Sequence, residues 1–200
     1  LGDWRDYDKE WTEIIASFPR GELRDYLELV SKSGVDIAVK PQYVDKLPKL
    51  WDGEVRGLLQ RVDDHGRLDE FAEKTSIKHI LERKLSGLSG GELQRVAICA
   101  TILKEADVYF FDEPSSYLDI HERMRVVNII QSLVENGKRI IVIEHDLAIL
   151  DVLCDLVHIV YGQRAAYGIF TPPRTTRTAI NAYLDGYLNE ENVRIRDKPI

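Results

Sequence analysis

Cysteine, methionine and long apolar runs are scarce in this 200-residue sequence. Its two cysteines, Cys99 and Cys154, belong to no C-x-x-C pair or Cys/His cluster, which argues against zinc and iron–sulfur sites. We expect both thiols to be buried and reduced rather than joined in a disulfide. No apolar run approaches the ~20 residues that a membrane-spanning helix needs, so we expect no membrane segment.

Basic residues are also in the minority. The 27 lysines and arginines face 34 acidic residues, for a net charge of -7. Such a balance argues against a protein that coats nucleic acid indiscriminately, although docking on RNA through a local basic patch stays open. Because hydrophobic residues make up 44% of the sequence, it can bury a core as one domain, or as one domain with a small appendage.

The sequence lacks an initiating methionine and a signal-peptide pattern. It begins Leu1-Gly2-Asp3-Trp4, which resembles the interior of a protein more than its start. We interpret it as a piece of a longer polypeptide, and we expect that polypeptide to be cytoplasmic.

What the sequence does contain is an alternation of strand and helix patterns, which favours an α/β fold with a parallel sheet. Period-two alternation or short apolar runs predict strands, and apolar residues spaced three and four apart predict helices. The expected elements are strands at 35–39, 108–111 and 139–143, the last two buried; helices at 55–62, 68–72, 92–105, 119–135 and 147–153; a hairpin of 156–161 and 167–170; a helix through 180–187; and a helix–loop–helix at 8–32.

One apolar strand leads directly into two carboxylates. Val108–Phe111 is followed by Asp112 and Glu113, and the carboxyl edge of a parallel sheet is where α/β folds bind ligands. Hydrolysis of a nucleoside triphosphate needs Mg²⁺ to spread phosphate charge and a group to orient the attacking water. Asp112 suits the first role, through a bound water, and Glu113 suits the second. Taken alone, the pattern fits a pair of helix-capping acids equally well.

A glycine pair opens the helix predicted after residue 91. In Leu88-Ser89-Gly90-Gly91-Glu92 the two glycines let backbone N–H groups approach an anion closely, and a helix N-terminus adds partial positive charge. An ordinary turn is the alternative interpretation.

These motifs together resemble those of ATP-binding-cassette (ABC) proteins. Residues 88–95 resemble the signature motif, 108–113 the Walker B strand and 114–119 the D-loop, while Gln42 and His145 stand where this family has its Q-loop glutamine and switch histidine. The resemblance implies a P-loop NTPase-like ABC nucleotide-binding domain that binds ATP and Mg²⁺ and hydrolyses ATP.

The resemblance also implies roles for single residues. Glu113 and His145 would be catalytic, and Gln42 and Asp112 would bind the Mg²⁺ and the nucleotide held in cis, Asp112 through water. The nucleotide of a facing cassette would be contacted by Ser89, Gly90, Gly91 and Glu92, and Asp119 would couple the two sites.

One motif of that family is missing. The sequence contains no G-x-x-x-x-G-K-[ST] phosphate loop and no strand leading into one. We interpret this as truncation at the N-terminus rather than as a degenerate cassette. We expect the 200 residues alone to bind ATP weakly or not at all.

Several stretches resemble the E subfamily, the soluble twin-cassette RNase L inhibitors or ribosome-recycling factors. The stretches are 40–45, 110–119, 144–151, 183–188 and 191–194. Within 110–119, Tyr117 replaces the glycine that is usual in transporter cassettes.

The E-subfamily resemblance implies a domain plan and a set of partners. Residues 1–170 would be the first cassette, with 8–32 as an insertion that touches the ribosomal small subunit and its rRNA and 67–105 as the helical signature region. Residues 171–200 would begin a hinge to the second cassette. Release or recycling factors are further expected partners, and no membrane is expected.

Two other functions remain open at this point. The chain could be the ATPase subunit of a membrane transporter, which would co-purify with a membrane protein rather than with ribosomal subunits. It could also be a non-catalytic interaction module with the cassette fold. The presence of Asp112, Glu113 and His145 argues against the latter, since a module without activity has no need of all three.

Overall fold

The computed structural model describes residues 11–163 and 166–200, which form two compact units. Residues 36–153 make up one unit, and the described residues before 36 and after 153 make up the other. Residues 8–10 of the expected helix–loop–helix lie outside the described residues. Neither unit ends at residue 170, and the assignment of 171–200 to a hinge stays a prediction.

The elements follow one another in an α/β order. The helices are α1 (Trp11–Ala16), α2 (Glu22–Ser33), α3 (Leu47–Leu50), α4 (Val55–Val62), α5 (Leu68–Lys74), α6 (Gly90–Leu103), α7 (Ile120–Glu135), α8 (Leu147–Leu153) and α9 (Thr176–Asp185). The strands are β1 (Ile37–Lys40), β2 (Val108–Asp112), β3 (Arg139–Ile143), β4 (Leu156–Val157), β5 (Val160–Gln163), β6 (Tyr167–Phe170), β7 (Arg174–Thr175), β8 (Tyr187–Leu188) and β9 (Val193–Arg194). None of these helices is both long enough and apolar enough to cross a membrane.

A parallel three-stranded sheet organises the unit 36–153. Its order is β1-β2-β3, with β2 in the centre as the sequence predicts. The register pairs Lys40 with Phe111 and Asp112 with Ile143. The loops that follow all three strands therefore start at the same edge of the sheet.

One face of this sheet packs into the main hydrophobic core. Ala38, Tyr109 and Phe111 are buried there with residues of α4, α5, α6 and α7. The prediction that 139–143 is a buried strand is wrong: Ile141 is 52% exposed and Ile143 is 49% exposed. β3 is an edge strand, so its apolar composition does not guarantee cover on both faces.

Caps set the limits of the two helices nearest the sheet edge. Ser89 caps α6, which begins at Gly90, two residues before the predicted start. Asp119 caps α7, which ends next to Asn136 and Gly137 as predicted, with Gly137 at φ 79°. Side-chain caps of this kind satisfy backbone N–H groups that have no partner within the helix.

The described parts of the second unit contain small antiparallel sheets and a minor core of Ile159, Ala179 and Leu188. Two expectations need correction here. The strand predicted at 156–161 is divided, because β4 pairs with β7 while β5 pairs with β6. The last helix does not reach residue 187, because Gly186 adopts the left-handed conformation (φ 71°) that ends α9.

Candidate functional site at the carboxyl edge of the sheet

The carboxylate of Glu113 is the centre of a cluster at this edge. Gln42 Nε2 donates to Glu113 Oε1 at 2.8 Å, and Ser116 Oγ donates to Glu113 Oε2 at 3.1 Å. His145 Nδ1 lies 3.8 Å from Glu113 Oε1 on an imidazole that is 75% exposed. Three loops, each following one strand of the sheet, thus bring Gln42, Glu113 and His145 together. The structure therefore has the juxtaposition that the resemblance to ABC proteins implies, while the chemical roles stay predictions.

The backbone of Glu113 is held as firmly as its side chain. Its φ is +47°, a left-handed conformation that costs a residue with a Cβ roughly 1 kcal/mol or more. Its N–H donates to Ile143 O at 2.8 Å, which ties the end of β2 to β3. A conformation of this kind persists only where the surroundings fix it.

Asp112 is the last residue of β2 and lies beside this cluster. Burial raises the pKa of its carboxyl, and the neighbouring charges of Glu113 and Glu144 raise it further, while the Lys40 ammonium opposes them. Negative charge is therefore concentrated at this point of the edge. A divalent cation would relieve it, and Mg²⁺ is usually held by one or two protein carboxylates together with phosphates and waters.

Two buried residues that sequence reasoning missed support the end of β2. Lys40 is completely buried, and its Nζ donates to Asp112 O at 2.7 Å and to Glu113 O at 3.2 Å. Burial lowers the pKa of Lys40 to about 8, although Asp112, Glu113 and Glu144 partly counteract it. Gln94 of α6 is also completely buried, and its Nε2 donates to Glu113 O at 2.7 Å.

Sequence signals for both residues existed. Lys40 shares the core face of β1 with Ala38 by strand alternation, and Gln94 lies between Leu93 and Val96 on α6. A polar side chain in such an apolar setting needs a hydrogen-bond partner, but the sequence does not say which one.

Glu144 is a third residue whose role sequence reasoning missed. Its side chain is fully buried. Its carboxylate accepts from Ser115 Oγ at 2.7 Å, from His145 N at 2.9 Å and from Asp146 N at 3.2 Å. Glu144 thereby joins the loop after β2 to the loop after β3 and fixes the backbone on which His145 stands.

The predicted signature residues form the start of α6. Ser89 N and Oγ donate to Glu92 Oε2 at 2.7 and 2.9 Å, and Glu92 N donates back to Ser89 Oγ at 3.3 Å, which is a capping box. Arg83 Nη1 donates to Glu92 Oε1 at 2.9 Å. The hydrogen bond from the Ser89 backbone is the main cause of the lowered pKa of Glu92. Glu92 therefore has a structural role in this helix start, whatever else it binds.

Both signature glycines lie against Tyr117 of the predicted D-loop. A Cβ at Gly90 would lie 3.2 Å from Tyr117 Cδ1, and one at Gly91 would lie 3.0 Å from Tyr117 O. Close packing between two loops of the same chain is thus one reason for glycine here. The helix N-terminus beside them stays available for an anion.

Asp119 is the N-cap of α7. Its Oδ1 accepts from Glu122 N at 3.0 Å, and this backbone hydrogen bond lowers the pKa of the Asp119 carboxyl. The capping role explains an aspartate at this position on its own. Its predicted part in coupling two nucleotide sites stays a prediction.

Comparison with known proteins identifies the family. The family model described as ABC transporter matches residues 16–116. The chain belongs to the ABC transporter family.

Relatives with ABC transporter names match over nearly the whole chain. The identity is 49% over 196 residues with an uncharacterized ABC transporter ATP-binding protein of Methanocaldococcus jannaschii, covering 97% of this chain and 32% of that protein. With ABC transporter E family member 1 of Arabidopsis thaliana it is 40% over 191 residues, covering 96% of this chain and 32% of that one. The predicted resemblance to the E subfamily is confirmed. The chain spans about a third of the length of these relatives.

A solved structure confirms the fold class. The crystal structure of the complex of the archaeal ribosomal stalk protein aP1 and the archaeal ribosome recycling factor aABCE1 superposes with a TM-score of 0.89 at 47% identity, covering 96% of this chain and 37% of that one. The α/β fold of an ABC nucleotide-binding domain is therefore established for this chain.

Proposed function

We propose that this chain supplies the hydrolytic half of an ATP site in a ribosome-recycling ATPase. The observation that carries the proposal is the oriented carboxylate of Glu113, with hydrogen bonds from Gln42 and Ser116 and with His145 at 3.8 Å. A carboxylate held in one orientation at the carboxyl edge of the sheet suits the positioning of a water for attack on a phosphoryl group.

Each member of the cluster has a distinct part in this mechanism. Glu113 orients the attacking water and accepts its proton, and the amide of Gln42 holds Glu113 in the productive orientation. The imidazole of His145 would donate a hydrogen bond to the terminal phosphate. Asp112, through a water, and Gln42 would hold the Mg²⁺.

Mg²⁺ fits the donor set at this edge. When bound with ATP, it spreads the charge of the phosphates. Within residues 11–163 and 166–200, no group of three or more His, Cys, Asp or Glu side chains is arranged to hold a metal ion. That finding suits an ion that takes one or two protein ligands and completes its shell with phosphates and waters.

A second cassette is the partner that we propose for the N-terminus of α6. Residues 1–200 contain no phosphate-loop motif, and the family resemblance implies that the loop that cradles the cis nucleotide belongs to this same cassette rather than to the facing one. The N-terminus of α6, with Ser89, Gly90 and Gly91, would contact the nucleotide of the facing cassette. Helix N-termini attract phosphate through unpaired N–H groups and the helix dipole.

Ribosome recycling is the process in which we place this ATPase. The support is the 47% identity with a protein described as an archaeal ribosome recycling factor, in complex with a ribosomal stalk protein. The proposed partners are the ribosomal small subunit with its rRNA, reached through the helix–loop–helix at 8–32, and release or recycling factors. The proposed location is the cytoplasm.

Replacement of the water-orienting carboxylate tests the catalytic part of the proposal. In the full-length natural polypeptide that carries this chain, Glu113→Gln should keep ATP binding and lower the hydrolysis rate at this site about 100-fold or more. Glu135→Gln, at an exposed position of α7, is the matched control and should hydrolyse ATP normally. Normal turnover by Glu113→Gln would remove Glu113 from the mechanism.

Sedimentation tests the assignment of this chain to ribosome recycling. The Glu113→Gln protein loaded with ATP should co-sediment with ribosomal small subunits through a sucrose gradient. Association with a membrane fraction instead would favour the transporter subunit over the recycling factor.

A further inference from the structure

The start of α6 and the backbone carbonyl of Glu113 are joined by one buried side chain. Gln94 lies on α6 five positions after its cap, Ser89, and its Nε2 donates to Glu113 O at 2.7 Å. The helix whose N-terminus would hold the facing nucleotide is therefore bonded directly to the residue that would act on the cis nucleotide.

Lys40 holds the same carbonyl group from the sheet. Its Nζ donates to Glu113 O at 3.2 Å and to Asp112 O at 2.7 Å. The left-handed backbone of Glu113 (φ +47°) is thus supported by one donor from β1 and one from α6. One of these two supports lies on a neighbouring strand of the sheet, and the other lies on α6, the helix that begins at Gly90.

Filling space in the core does not by itself explain glutamine at position 94. The side chain is completely buried, and its Oε1 has no hydrogen-bond partner among the described residues. An unpaired buried carbonyl oxygen is unfavourable, and an apolar side chain would fill the space without that cost. The glutamine is better explained by its amide N–H group, which donates a hydrogen bond to Glu113 O.

We propose that Gln94 is a positioning residue that couples occupancy of the α6 N-terminus to the orientation of Glu113. When an anion binds at Ser89, Gly90 and Gly91, a small shift of α6 changes the geometry of the hydrogen bond from Gln94 to the Glu113 carbonyl. The carboxylate orientation, which Gln42 and Ser116 also hold, responds to that change. This inference rests on the proposed function, since it assigns regulation to the same site.

A double-mutant cycle tests the coupling. The variants are Ser89→Ala, Gln94→Met and the combination, assayed for Mg²⁺-ATP hydrolysis in the full-length natural polypeptide. Gln94→Met keeps the length of the side chain and removes its donor. For Gln94→Met we expect kcat to fall about 10-fold, while KM for ATP changes by no more than about twofold. We expect the double variant to be no slower than the slower of the two single variants.

Thr101→Val is the matched control on the same helix. Thr101 is also buried, but its Oγ1 donates to Ala97 O within α6 and not to Glu113. Its effect, if any, should combine multiplicatively with that of Ser89→Ala. Multiplicative behaviour of Gln94→Met in the same assay would overturn the coupling.

Hydrogen exchange provides a measurement that does not depend on the folding of a Gln94 variant. In the wild-type protein, addition of ATP should slow amide exchange at 113–118, and Ser89→Arg with ATP still bound should remove much of that protection. Unchanged protection in Ser89→Arg would overturn the proposal. If Glu113→Gln leaves hydrolysis intact, the proposed function itself fails; if only the cycle is multiplicative, the coupling alone fails.

Discussion

The side-chain amide of Gln42 donates a 2.8 Å hydrogen bond to the carboxylate of Glu113, although 71 residues separate the two in the sequence. β1 and β2 are parallel neighbours, so the residues just past their ends meet at one edge. Because a charged acceptor makes this hydrogen bond stronger than a neutral one, it restricts the rotation of the carboxylate. The strength of that restriction can be measured.

Removal of the Gln42 amide should slow hydrolysis more than it weakens ATP binding. For Gln42→Ala in the full-length polypeptide we expect kcat to fall about 10- to 100-fold, because Glu113 then samples unproductive rotamers. Steady-state kinetics with Mg²⁺-ATP measures this. Gln60→Ala, at an exposed position of α4, is the control. An unchanged kcat in Gln42→Ala would show that Ser116 and His145 suffice to orient Glu113.

Buried Lys40 should make stability depend on pH in the alkaline range. Its pKa is lowered from 10.5 to about 8 in the folded protein, chiefly by burial. Between these values the unfolded chain binds more protons, so the Lys40 contribution to the free energy of unfolding rises with pH. Below pH 8 the charged, buried ammonium lowers the free energy of unfolding by a constant amount, which we expect to be about 3 kcal/mol. This destabilisation should be removed by about pH 10.5.

A comparison with Lys40→Met isolates this contribution, because the variant lacks the ammonium that titrates in the alkaline range. Urea unfolding of residues 1–200 at pH 7, 8, 9 and 10 gives the two free energies. The free energy of unfolding of the wild type should increase relative to that of Lys40→Met as the pH rises. A difference that stays constant over this range would show that Lys40 is charged throughout.

The order of the elements was predictable from short-range patterns, and the meeting of Gln42, Glu113 and His145 was predictable from the resemblance to ABC proteins. Apolar runs define parallel strands, and parallel strands deliver the residues after their carboxyl ends to one edge. The Lys40 and Gln94 partners were not predictable in this way. Both bind backbone carbonyls, which every residue has, so the sequence carries no mark of the acceptor.

The errors in the predicted fold also concern features that a local sequence pattern does not reveal. The apolar character of 139–143 indicates a strand but does not reveal which strand lies at an edge, so Ile141 and Ile143 were expected to be buried and are half exposed. The spacing of apolar residues predicted that the last helix extends to Tyr187. The left-handed Gly186 ends it two residues earlier, and such a C-cap is decided by one residue rather than by periodicity.

Cys99 should be inert to thiol reagents in the folded protein. It is completely buried in α6, and burial raises the pKa of its thiol to about 12. At pH 8 the thiolate is then about one part in ten thousand, and access is closed as well. In a Cys154→Ser background, labelling by a maleimide should be about 100-fold slower or more than in denaturant. Rapid labelling of the native protein would mean that α6 opens locally.

The contact between Gly91 and the backbone of Tyr117 should make a single methyl group destabilising. A Cβ at position 91 would lie 3.0 Å from Tyr117 O, and Tyr117 already has a left-handed φ of +65°. Alanine is a better helix former than glycine, but here the carbonyl has to move to admit it. We expect Gly91→Ala to lower the free energy of unfolding by about 1 kcal/mol.

Alanine variants at two other glycines show how much of the destabilisation comes from the close contact at Gly91. At Gly90 the atom in contact, at 3.2 Å, belongs to the ring of Tyr117, which is 69% exposed and can move aside. At Gly87 a Cβ would meet nothing within 4 Å. Urea unfolding should therefore order the three alanine variants with Gly91→Ala least stable, because only there does backbone oppose the new carbon. Equal stability of Gly91→Ala and Gly87→Ala would mean that the D-loop is not held against α6, and the glycines would then have to be explained by the anion alone.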